Sequence, residues 1–167
     1  MAKPRRRIIA RKIAEAARGQ SRVFFLAARR CNEFERLRSG RLRFLFVPTL
    51  VCYALCIELG LKALTLYEIG KAPRGHDLKK LFSTLPRALQ ARIVGDTGPD
   101  AKRFESDLDL VRNVFEEWRY IYEKGHAVDT DLGFLQRLAT AIQKVMTEFP
   151  DLCPSAAVGC SCSPMQS

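Results

Sequence analysis

In the run "FLFVPTLVCYALCIELGLKALTLYEI" (44–69) a carboxylate, Glu58, stands in the middle of a mostly apolar stretch. If the run is helical, Glu58 shares a face with Val51, Ala54, Leu55, Leu61 and Thr65, so its charge is at least partly removed from water. A carboxylate in that position must find a cation or take up a proton, because a buried charge without a partner is heavily penalised. Lys62 follows four residues later, but such a pair on an exposed helix is worth only ~0.5 kcal/mol. A guanidinium, which can fork onto a carboxylate through two parallel bonds, is the stronger candidate. Arg112, Glu116, Arg119, Tyr120 and Glu123 form one polar strip on a later helix, and Arg119 is the expected partner.

Two histidines are present. His76, in "RGHDL", precedes an aspartate, Asp77, suited to capping a helix, and its ring can bond back to another helix. Glu58, Lys62, His76, Asp77 and Arg119 thus make a candidate polar centre, read either as a buried pair that fixes helix register or as a ligand-binding cluster. His126 follows Arg119 by two helical turns, with Gly125 between them. An arginine can hold developing phosphate charge while an imidazole moves protons, so Arg119 and His126, assisted by Arg112, are the candidate catalytic set. The histidines and carboxylates lack metal-ligand spacing, and no Gly-rich phosphate loop or nucleophile elbow occurs, so no metal and no cofactor are expected.

These residues need helices to position them. The chain has 167 residues, 47 % of them hydrophobic, enough for one domain with its own core. Ala, Leu, Arg and Glu abound and β-type alternation is missing, which predicts an all-α, up-and-down bundle of four principal helices. The spacing places these near 22–38, 47–69, 100–124 and 131–148, with short helices at 78–85 and 86–94 between the second and the fourth-placed elements. Gly19 and Ser21 are read as a break and a cap, Gly70 as a stop, Pro86 as a first-turn residue, and Asp129 or Thr130 as the last cap. The expected division is a basic arm or helix over 1–20, the bundle over 21–149, and a flexible Cys/Ser-rich tail over 150–167.

The net charge of +10 is concentrated at one end: residues 1–43 carry 14 Lys and Arg against 3 acids. Arg5, Arg6, Arg7, Arg11 and Lys12 are therefore candidate nucleic-acid contacts, while a solvated helix would carry the same residues without any polyanion. The apolar segment 44–57 falls short of the ~20 residues of a membrane span, so no span is expected. Cys52 and Cys56 share a helical face as core thiols, and Cys153, Cys160 and Cys162 lie in the tail without a fourth ligand, which points to a reducing, cytoplasmic setting.

"IELGLKAL" (57–64), "GHDLKKLF" (75–82) and "FESDLDLVRNVFEEWRYIYE" (104–123), in that order, resemble the HEPN superfamily of helical bundles over about residues 20–148. The resemblance implies a bundle that often dimerises, in prokaryotes frequently within toxin–antitoxin or other defence systems. It also implies, for many members, metal-independent ribonuclease activity by an Arg, a polar residue, and a His after four to six intervening positions at a dimer cleft. Arg112–Asn113 supplies the opening pair, but Glu117, Trp118 and Arg119 occupy the positions for His; Arg119 and His126 have the spacing, but Tyr120 follows the arginine. The expectation is a HEPN-like binding or regulatory module, RNA- or nucleotide-associated, forming a homodimer. The alternatives are a metal-independent endoribonuclease and a bundle that binds an antitoxin or another partner protein without a nucleic-acid role.

Overall fold

A computed structural model describes residues 4–98, 100–119 and 130–149; the side chains of residues 4–7 and of Arg119 lie outside the described set. Helix α1 spans Pro4–Cys31, opening on a proline whose missing N–H costs nothing in a first turn. It runs unbroken through Gly19 and Ser21, contrary to the break expected there. Ser21 is fully buried, and its hydroxyl donates to the carbonyl of Cys56 at 2.7 Å rather than capping a helix. Ala10, Ala14, Ser21 and Ala28 form the buried face, and these small side chains let α1 lie close along its neighbour.

The second half of the helix expected over 22–38 is instead a hairpin. Strands β1 (Glu35–Arg36) and β2 (Leu42–Arg43) pair antiparallel, Glu35 opposite Arg43 and Arg36 opposite Leu42. Gly40 takes the left-handed conformation (φ 80°) that turns the chain, and Arg43 pairs with Glu35 across the ladder. Phe44 stacks on Phe34 and lies against Phe46, the next helix's first residue, whose ring meets Trp118 edge-on with centroids 5.3 Å apart, tying the hairpin to the bundle.

Helix α2 (Phe46–Ile69) is the axis of the molecule, with Leu50, Tyr53, Ile57, Leu61 and Leu64 fully enclosed. Among the described residues it is one helix long and apolar enough to cross a membrane by composition, and 72 % of its most apolar window is buried within the bundle. Gly70, at φ 75°, ends it with its N–H on the carbonyl of Leu66. The short helix α3 (Leu78–Ser83) is capped by Asp77, α4 covers Arg87–Thr97 after Pro86, and α7 (Leu132–Thr147) is capped by Asp131.

The helix expected over 100–124 is divided into α5 (Ala101–Val111) and α6 (Val114–Arg119). The division coincides with a tertiary contact. The carbonyl of Arg112 leaves the helical ladder to accept the N–H of Leu78 at 2.9 Å, satisfying an orphan donor in the first turn of α3. Principal helices α1, α2, α5 with α6, and α7 surround one core, so the fold is an all-α bundle with short helices between its second and third long elements.

Candidate functional site

Glu58 is 4 % exposed, and two groups hold its carboxylate. Lys62, one turn along α2, brings Nζ to 2.7 Å from Oε1. His76, on the loop between α2 and α3, places Nδ1 at 3.0 Å from both Oε1 and Oε2. An acceptor carboxylate requires the ring to donate, so Nδ1 carries a proton. The imidazole is about half exposed, lies against Phe115 of α6 at 5.5 Å between centroids, and makes no bond through Nε2 among the described residues.

Asp77 joins the same turn to α5. Its Oδ1 accepts the N–H of Lys80, capping α3, and its Oδ2 accepts from Nε (3.2 Å) and Nη2 (2.5 Å) of Arg112. Burial pushes the Asp77 carboxyl upward. The Arg112 bond, the Lys80 amide and the two nearby positive charges outweigh that effect and hold it below the usual carboxylate range. Gly75, at φ 91°, gives the loop the reversal that brings His76 and Asp77 onto these partners.

Of the residues singled out in the sequence, Glu58, Lys62, His76, Asp77 and Arg112 are therefore brought together. The expected Glu58–Arg119 bridge involves a side chain outside the described set, and the carboxylate is already engaged by Lys62 and His76. Arg119 closes α6, while Tyr120, Glu123 and His126 lie outside the described residues, as do the tail cysteines. Arg112, offered as a phosphate ligand, has its fork committed to Asp77. The helical ladder is interrupted at Arg112 and Asn113, so Arg112 ends α5 while Glu116 belongs to α6; the rest of the expected polar strip, the Arg119 side chain with Tyr120 and Glu123, lies outside the described set. Among the described residues no three His, Cys, Asp or Glu side chains gather as a metal set.

A second cluster escaped sequence reasoning. Gln143 of α7 donates to the Ser21 hydroxyl at 2.8 Å and approaches the Cys56 sulfur at 3.4 Å, joining α1, α2 and α7 at a point where Gly60 keeps the helices close. Burial pushes the Cys56 thiol up to about 11, so it is a packing group and not a nucleophile. A polar side chain at a helical core position, as Ser21 and Gln143 each are, is the signal that could have found it.

The basic surface is carried by α1. Arg11, Lys12, Arg22, Arg29 and Arg30 are exposed, whereas Arg18 donates to the carbonyl of Phe149 at 3.0 Å. Arg5, Arg6 and Arg7 lie in its first turns, with side chains outside the described set. Two open clefts lie apart from the polar centre. One, of about 420 Å³, is flanked by Arg103, Asp107 and Arg137, and the other, of about 520 Å³, by Lys71, Arg74 and Thr84.

The model of the HEPN domain matches residues 50–152, from within α2 to beyond α7, which is more than half of the chain. No curated protein and no solved structure matches it. The all-α bundle and the match over its helices agree: the chain belongs to the HEPN domain family, with α1 and the hairpin standing before the matched region.

Proposed function

We propose that this HEPN domain is a binding or regulatory module that takes up RNA in a bacterial defence or stress setting, as a cytoplasmic homodimer. The observation that carries the reading is the arginine edge of α1. Arg11, Arg22 and Arg29 recur at multiples close to the helical turn on an unbroken helix, so they line one side over about 27 Å, all exposed. A rigid row of guanidinia can neutralise phosphates spaced along a strand without reading bases. The polar centre supports binding over cleavage, since Arg112 is spent on Asp77 and His76 on Glu58.

The test is fluorescence anisotropy with a labelled single-stranded RNA across a salt series. Replacing Arg11, Arg22 and Arg29 together by Gln should reduce the slope of log affinity against log salt by about 2, at ~0.7 per lost phosphate contact. An unchanged slope and affinity overturns the assignment.

A further inference from the structure

Helix α1 buries one face on α2, yet a second apolar line runs along its outer side. Ile9, Ile13, Ala16, Gln20, Val23 and Ala27 recur at intervals of four, three, four, three and four. This is the spacing of a coiled-coil seam, a narrow stripe that one other helix can cover. Ile9 and Ile13 are each 51 % exposed and Val23 is 57 % exposed, with Ile8 and Leu26 beside them also open. Among the described residues nothing covers the seam, and the face that holds α1 in place, through Ala10, Ala14, Ser21 and Ala28, lies roughly a third of a turn around the helix from it. The seam also lies before the region that the HEPN model matches.

We propose that the outer side of α1 is a docking seam for an acidic amphipathic helix of a partner protein. Its charge selects the partner's sign: Pro4–Cys31 holds nine Lys and Arg and a single acid, Glu15. Lys12 and Arg30 border the seam, so glutamates flanking a partner's apolar stripe would meet cations. A second copy of this chain meets the opposite condition. Antiparallel pairing would set Lys12 against Arg30, and any pairing would bring two strongly basic helices together. The stripe is also too narrow for a lipid surface: Ala16, Gln20 and Ala27 occupy half of it, and it has no aromatic residue of the kind that anchors interfacial helices. The seam is distinct from the edge that carries Arg11, Arg22 and Arg29, so the inference stands apart from RNA binding.

The experiment titrates the full chain with a labelled synthetic helix of about four heptads, leucine at the stripe positions and glutamate on both flanks. Saturable binding is expected, weakened about tenfold or more in I13S/V23S, and lost when lysine replaces the peptide's glutamates. Both positions are exposed, so thermal melts of the double variant should match the parent. Ile9→Ser provides an independent second variant with the same expected direction. No binding of the acidic peptide, or equal binding by the variants, overturns the proposal. It is overturned in favour of a second copy if sedimentation shows a dimer that I13S/V23S dissociates. It is overturned in favour of a membrane if vesicles of phosphatidylglycerol bind the parent and not the variant while the peptide does neither.

Discussion

The Nδ1 of His76 stands 3.0 Å from both carboxylate oxygens of Glu58, across the loop that separates α2 from α3. Glu58 is buried and His76 is half exposed, so the pair clips a surface loop onto the central helix. Asp77, the next residue, caps α3 and engages Arg112, and the carbonyl of Arg112 receives the N–H of Leu78. Three consecutive residues thereby tie α2, α3 and the junction of α5 with α6.

Glu58→Ala should destabilise the protein. It leaves Lys62 and His76 facing an apolar face, and both retain some access to water, so the loss is expected near ~2 kcal/mol rather than at the upper end for buried pairs. Urea denaturation measures it. An unchanged midpoint would show that the clip contributes nothing to holding the loop.

Asp77 makes stability depend on acid. Its folded-state pKa lies below the ~3.9 of an unfolded aspartate, so its contribution is complete above that value and is withdrawn as pH falls through the lower, folded value. Asn can still cap α3 but has no charge to lose. Asp77→Asn should therefore be less stable at neutral pH, with a shallower fall in stability below about pH 4. Parallel acid profiles for the two proteins would refute the linkage.

Gly60→Ala sets two effects against each other. Alanine favours a helix interior by ~1 kcal/mol, but the added Cβ would stand 2.5 Å from Cγ2 of Ile142 and 3.3 Å from Oγ of Ser21. Overpacking of this kind costs ~1–3 kcal/mol, so a net lowering of the melting temperature is expected. A higher melting temperature would mean that α7 can retreat from α2 freely.

Thiol mapping by mass spectrometry should find Cys56 unmodified in the folded protein at pH 8, long after the other thiols have reacted. Its thiol is pushed up to about 11 by burial, so the reactive thiolate is scarce and enclosed. Prompt alkylation of Cys56 in the native state would contradict that enclosure.

Under the proposed binding reading, RNA incubated with the protein in EDTA should remain intact; Arg112, the assisting residue of the alternative, is held by Asp77. Cleavage that leaves cyclic phosphate ends and disappears in His126→Ala would instead establish the endoribonuclease reading of Arg119 and His126.

Much of the bundle was legible in the chain itself. Period and capping are local: the apolar run of α2, the stop at Gly70, the Asp77 cap and the turn at Pro86 each depend on residues within a few positions. So does the burial of Glu58, which follows from its face of the helix. The hairpin was not legible, because its two-residue strands carry exposed charged side chains with no alternation to mark them. Local rules also split α1 at Gly19, where packing of Ala10, Ala14 and Ala28 on α2 carries the helix straight through. Residue types along the chain determined that this is a helical bundle with a carboxylate needing a partner inside it. Only the tertiary structure decided which partner, and where α5 stops. His76 reaches Glu58 across 18 residues and Arg112 reaches Asp77 across 35, and bonds of that span are set by how helices stack, which no local spacing encodes.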